Sequence, residues 1–149
     1  MDISARAMYG LRALVTLAGA RTDSPMSIQA ISDDEQLPSK FLEGIMADLK
    51  RGGFVQSRRG ANGGYLLAEP ASEITLLSVI EHLDGPIAEF NVTERTCEDE
   101  PTQRQEAFDP VWDEIRERTQ RLLEEYTIQS ITDSVPEERR DDFTPLYQI

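Results

Sequence analysis

Arg58 and Arg59 stand side by side just before Gly60-Ala61-Asn62-Gly63-Gly64, so two permanent positive charges meet a run of residues with almost no side chain. That combination suits contact with phosphate. Arginine offers a planar fork of donors, and glycine lets a backbone come close to a ligand. One arginine of such a pair can also enter a narrow DNA minor groove, where the potential is most negative. A solvated hairpin with incidental arginines would contain the same residues. Upstream, Ser39, Lys40, Glu43, Ala47 and Lys50 share one side of a helical pattern, opposite Phe41, Leu42, Ile45, Met46 and Leu49. The first group is polar enough to meet base edges and phosphates; the second predicts a buried stripe.

The elements that would position these groups are legible from their punctuation. A first helix is expected over 4–19, with Ile3, Ala7, Leu11, Leu14, Val15 and Ala18 on one face and Gly19 at its end. Ser27 is a good N-cap for a short helix over 28–34, because its hydroxyl can accept from a first-turn N–H. A turn at 34–37 leads to Pro38, whose fixed φ suits the opening of a helix over 39–51. Two short helices joined by a tight turn, the second amphipathic, make a helix-turn-helix unit. Gly52-Gly53 stops the second helix, and strands are expected at 54–59 and 65–68. The Asn62-Gly63 pair is the expected source of the positive φ values of a tight hairpin. A hairpin directly after a recognition helix is a wing.

Charge placement decides which half of the chain can meet DNA. The 149 residues carry a net charge of -13, which by itself opposes binding to a polyanion. Through Pro70, however, eight basic residues balance eight acidic ones, and the whole deficit falls later, where seven arginines face twenty carboxylates. Only the first half is a plausible DNA face. With 39% apolar residues the chain can bury one modest core. No apolar run approaches the ~18 residues of a membrane span, and the N-terminal residues lack the order of a signal peptide. A cytoplasmic protein with no membrane partner is expected. No phosphate-binding loop, metal-spaced His/Cys cluster or nucleophile–base set appears, so an enzyme is not expected.

Thr75 caps a fourth helix over 76–83, which ends at Gly85-Pro86; its His82 reads as a packed or solvent-edge residue. Residues 87–109 are acidic and without clear periodicity. A long helix is expected over 110–133, capped by Asp109, with Trp112, Ile115, Thr119, Leu122 and Tyr126 at alternating spacings of three and four. Such a heptad seam either folds back on its own domain or pairs with a second copy.

With these residues placed, the sequence resembles the Rrf2 family of bacterial transcription regulators. The likeness is carried by RAMYGLRAL near the N-terminus, by LPSKFLEGIMADLKRGGFVQSRRGANGGYLLAEPASEITLLSVIEHLDGP (37–86), and by the Trp-containing long helix. The resemblance implies a mainly α fold with a small β-hairpin wing, a winged helix-turn-helix over 1–86, an acidic connecting or sensor segment at 87–109, a dimerisation helix at 110–134 and a tail at 135–149. It implies a homodimer on double-stranded DNA at a pseudo-palindromic operator, usually repressing. It puts Ser39, Lys40 and Glu43 at the major groove and Arg58, Arg59, Gly60, Asn62 and Gly63 at the minor groove, with Arg6 and Ser27 as phosphate contacts. Glu43 is also readable as a plain surface charge. Well-known members hold an iron–sulfur cluster on three cysteines after the Gly85-Pro86 position. This chain has only Cys97, and two thiolates across a dimer are fewer than the four that common clusters use. The resemblance is therefore to cysteine-poor members: no cofactor is expected, and for such members the signal is often unknown or a small-molecule effector. The competing class is a protein-interaction module that keeps the winged fold and regulates a partner enzyme through its acidic half.

Overall fold

A computed structural model of the chain describes residues 3–20, 24–87 and 103–136. Its elements in order are α1 (Ala5–Gly19), α2 (Ile28–Glu35), α3 (Ser39–Arg51), β1 (Val55–Arg58), β2 (Gly64–Leu67), α4 (Leu76–Asp84), α5 (Gln103–Glu106), α6 (Asp109–Glu125) and α7 (Ile128–Ser134). The helix starts follow from side-chain caps. Ser4, Ser27 and Thr75 accept from the backbone N–H of Ala7, Ala30 and Ser78, each satisfying one of the donors a first turn leaves open. Pro38 is the N-cap of α3 rather than its first helical residue, and its carbonyl accepts from Phe41 and Leu42 N–H.

The core lies where α1, α2, α3, α4 and α7 meet the hairpin. Leu14, Ile31, Leu42, Met46, Leu49, Ile74, Val79 and Ile128 are fully buried, each contributing roughly 1.5–3 kcal/mol of burial free energy. Phe41 departs from the expected stripe. It lies 49% exposed at the edge of α3, its ring edge-on to Tyr9 of α1 at 5.8 Å. Helical geometry explains this: the arc from Leu42 to Leu49 fills the cleft against α1 and α2, and position 41 falls just outside it.

The hairpin is a two-stranded antiparallel sheet with Val55 opposite Leu67 and Arg58 opposite Gly64. Its loop differs from the expected tight turn. Positive φ falls on Gly60 (121°) and Gly64 (156°), not on Asn62-Gly63, and Gly63 N–H donates to Gly60 O at 3.0 Å. Five residues therefore close around an ordinary four-residue turn, as longer hairpin loops do. Gly63 is needed for a different reason: a Cβ there would lie 2.4 Å from Arg58 O.

The single long helix expected over 110–133 is two helices. α6 ends at Glu125, Tyr126 is its extended C-cap, and Thr127 opens α7 through a reciprocal capping box with Ser130. Tertiary contacts impose the break. Leu76 N–H donates to Tyr126 O at 2.9 Å and Ile128 N–H to Ile74 O at 2.9 Å, pinning this point to the strand-like start of α4. Asp109 does not cap α6 either. It is the first helical residue, after Phe108, where its charge still complements the helix dipole.

Candidate nucleic-acid interface

The second and third helices are locked at their turn. Ser39 Oγ lies 3.0 Å from Ser32 Oγ and donates to Gln29 Oε1 at 3.2 Å, while Ser32 Oγ also donates to Leu37 O. Ser39 is half-buried in this network, so its hydroxyl sits at the edge of the outer face of α3. Arg12 of α1 holds the other side of the turn, its Nε donating to Glu35 Oε2 at 2.5 Å and its Nη2 to Glu35 O at 2.8 Å. Beside this contact, burial and then the neighbouring Glu35 charge raise the Asp34 carboxyl above the usual carboxylate range, against a lowering hydrogen bond from Thr16.

Lys40, Glu43, Gly44, Ala47, Lys50 and Arg51 are exposed along α3. Lys50 Nζ donates to Ser57 Oγ at 2.6 Å, which ties this face to strand β1. The same strand ends in Arg58, and Arg59 follows in the loop; both are exposed, as are Gly60 and Asn62, with Gly63 half-buried. The structure thus joins the helix group and the arginine group into one surface.

The two weaker phosphate candidates have additional partners. Ser27 caps α2, and Arg6 forms an ion pair with Asp48. Asp48 was not singled out in the sequence, yet it organises this edge: largely buried, it pairs with both Arg6 of α1 and Arg51 of α3. A carboxylate on a helix's apolar border, three residues before an arginine, is the signal that would have found it.

The seam residues are placed unevenly. Trp112, Ile115 and Thr119 are half-buried, whereas Leu122 and Tyr126 are 54% and 47% exposed, and α6 has no buried residue. Phe108 and Val111, at 58% and 48%, add to the exposed apolar side. Phe108 lies four residues before Trp112, so the three–four spacing extended one step back would have included it.

His82 Nε2 lies 2.8 Å from Asp48 O and its ring is edge-on to Phe54, a packed position at the end of α3. Cys97 and most of the acidic segment lie outside the described residues. Among the described residues, no group of three or more His, Cys, Asp or Glu is placed to hold a metal ion. No helix among them is long and apolar enough to cross a membrane.

A family model described as Rrf2, iron-dependent transcriptional regulator, matches residues 3–134. The chain has one cysteine, fewer than the four thiolates that common iron–sulfur clusters use. The HTH-type transcriptional regulator CymR of Bacillus subtilis is 32% identical over 131 residues, covering 88% of this chain and 89% of that protein. Its solved structure, described as the global cysteine regulator of B. subtilis, superposes with a TM-score of 0.79 at 30% identity over 91% of this chain and 99% of that one. The structure of T. potens IscR gives 0.72 at 25% identity, over 93% and 90%. The fold is that of these winged-helix regulators, and the protein belongs to the Rrf2 family of transcriptional regulators.

Proposed function

We propose that this protein is a homodimeric repressor that binds a pseudo-palindromic operator, with α3 in the major groove and the hairpin loop at the adjacent minor groove. The observation that carries the reading is the continuous surface formed by the outer face of α3 and the Arg58-Arg59 wing, joined by the Lys50–Ser57 bond. Residues 1–86 form the DNA-binding unit, 87–109 a connecting segment, 110–134 the dimerisation region and 135–149 a tail. Its site of action is the cytoplasm, where the DNA is. The single cysteine per chain is too few for a common all-thiolate iron–sulfur cluster, which leaves a small-molecule effector as the candidate signal. Selecting bound fragments from genomic DNA and measuring their affinity against salt tests the proposal. Selective, steeply salt-dependent binding is expected, and binding without sequence preference would overturn it.

Within that experiment, Arg59→Ala is expected to weaken operator binding and to reduce the slope of log affinity against log salt by about one, the signature of one lost phosphate contact. An unchanged slope would remove the wing from the interface.

Glu43 has a different expected signature. Exposed on α3, its carboxylate can accept from the N4 amino group of cytosine while repelling phosphate. Glu43→Ala should therefore relax discrimination at one or two operator positions, with non-specific affinity equal or higher. Intact discrimination at every base would return Glu43 to a surface charge.

A further inference from the structure

Two residues at the outer edge of α3 take no part in the buried core of the described residues. Phe41 is an aromatic side chain left 49% exposed, held in place edge-on to Tyr9. Gly44, one turn later, is among the poorest helix formers in the interior of a helix, yet among the described residues no atom lies within 4 Å of where its Cβ would be and its φ is not positive. A glycine kept for the fold would show a close approach or a left-handed backbone, and Gly44 shows neither. Together they form a notch, apolar on the Phe41 side and open over Gly44, in a shallow groove lined also by Lys40 and by Asp48 with its two ion-paired arginines, Arg6 and Arg51.

We propose that this notch receives the C5-methyl group of a thymine, making Phe41 and Gly44 specificity-determining residues of the DNA interface. The inference rests on the DNA-binding reading above and names what that site recognises. Thymine alone among the four bases presents a methyl group at the major-groove edge, where an apolar side chain can cover it. Phe41 and Gly44 lie in the first two turns of α3, the part of a recognition helix that reaches base edges. Lys40, exposed beside the notch, suits a flanking phosphate. Gly44 leaves room for the base edge to approach the helix backbone; any side chain there would occupy the methyl group's place.

The test replaces each thymine of a selected operator by deoxyuridine, which removes only the methyl group. For the natural chain, one symmetry-related position is expected to lose about fourfold in affinity per half-site, the equivalent of one methyl group no longer buried. Phe41→Ala should bind the thymine and uracil sites alike, whereas Phe41→Leu, which keeps apolar contact and protects against a folding artefact, should retain most of the preference. Gly44→Ala should abolish or reverse the preference while raising the melting temperature by about 2–4 °C, because alanine is the better helix former. Three results would overturn the proposal: uracil tolerated at every position, a methyl effect that persists unchanged in Phe41→Ala and so acts through DNA stiffness, or a Gly44→Ala chain that melts lower. A chain that selects no operator would overturn this inference together with the DNA-binding reading, whereas selective binding with none of these methyl effects would overturn this inference alone.

Discussion

Gly64→Ala is expected to lower the stability of the chain by about 3–5 kcal/mol, with a fall in melting temperature of roughly 10 °C. Two costs combine at this position. The backbone has φ 156°, which L side chains rarely adopt, and an added Cβ would lie 2.2 Å from Met26 O and 2.8 Å from Ser27 N. Those neighbours are backbone atoms and cannot rotate away. Met26 and Tyr65 exchange two hydrogen bonds there, Met26 N–H to Tyr65 O at 3.0 Å and Tyr65 N–H to Met26 O at 2.8 Å. Pushing the strands apart breaks that bridge and disturbs Ser27, the cap of α2. The wing and the first helix of the helix-turn-helix therefore lose their mutual anchor. Gly60→Ala is the comparison, since φ there is 121° but nothing lies within 4 Å of the new Cβ. It should carry the strain alone, about 1–3 kcal/mol. Thermal denaturation of both variants separates the two costs, and equal losses would show that the Met26 contact is not what restricts position 64.

The second large effect is expected in assembly rather than in folding. Leu122→Asp should weaken self-association at least about 100-fold, because the proposed two-fold interface would put the new carboxylate of each copy into one apolar seam without a partner. Leu122 is 54% exposed in the single chain, so the protomer itself should keep its helical content and its melting cooperativity. Operator affinity should fall with the dimer, since a half-site offers only half the contacts. Sedimentation velocity combined with circular dichroism reads both quantities. A variant that stays dimeric and still binds its operator would place the subunit contact elsewhere than on α6.

Much of the candidate site could be read from the chain because its signals are local. Serine and threonine caps, the double glycine after Arg51, and the arginine pair before a glycine-rich loop act within a few residues of themselves. Their helices and strands begin where expected, to within a residue or two. The apolar stripe of α3 is nearly as legible, since a period of 3.6 residues marks a face without reference to its neighbours.

What tertiary structure alone decided are the places where two distant segments meet. The spacing of Trp112 to Tyr126 continues smoothly through a helix, but Leu76 N–H donates to Tyr126 O and Ile74 O accepts from Ile128 N–H, which divides it into α6 and α7. Phe41 matches the apolar pattern of its helix, and only the width of the cleft beneath α1 leaves it outside. Asn-Gly is a good tight-turn pair, yet pairing Arg58 with Gly64 lengthened the loop and moved the positive φ to Gly60 and Gly64. Asp48 gathers arginines from two helices, one of them 42 positions away. Periodicity and capping are properties of one segment, so the sequence carries them whole. The position of a helix break, the exposure of a border residue and the partners of a buried carboxylate depend on what packs against them, and are set only when the chain has closed on itself.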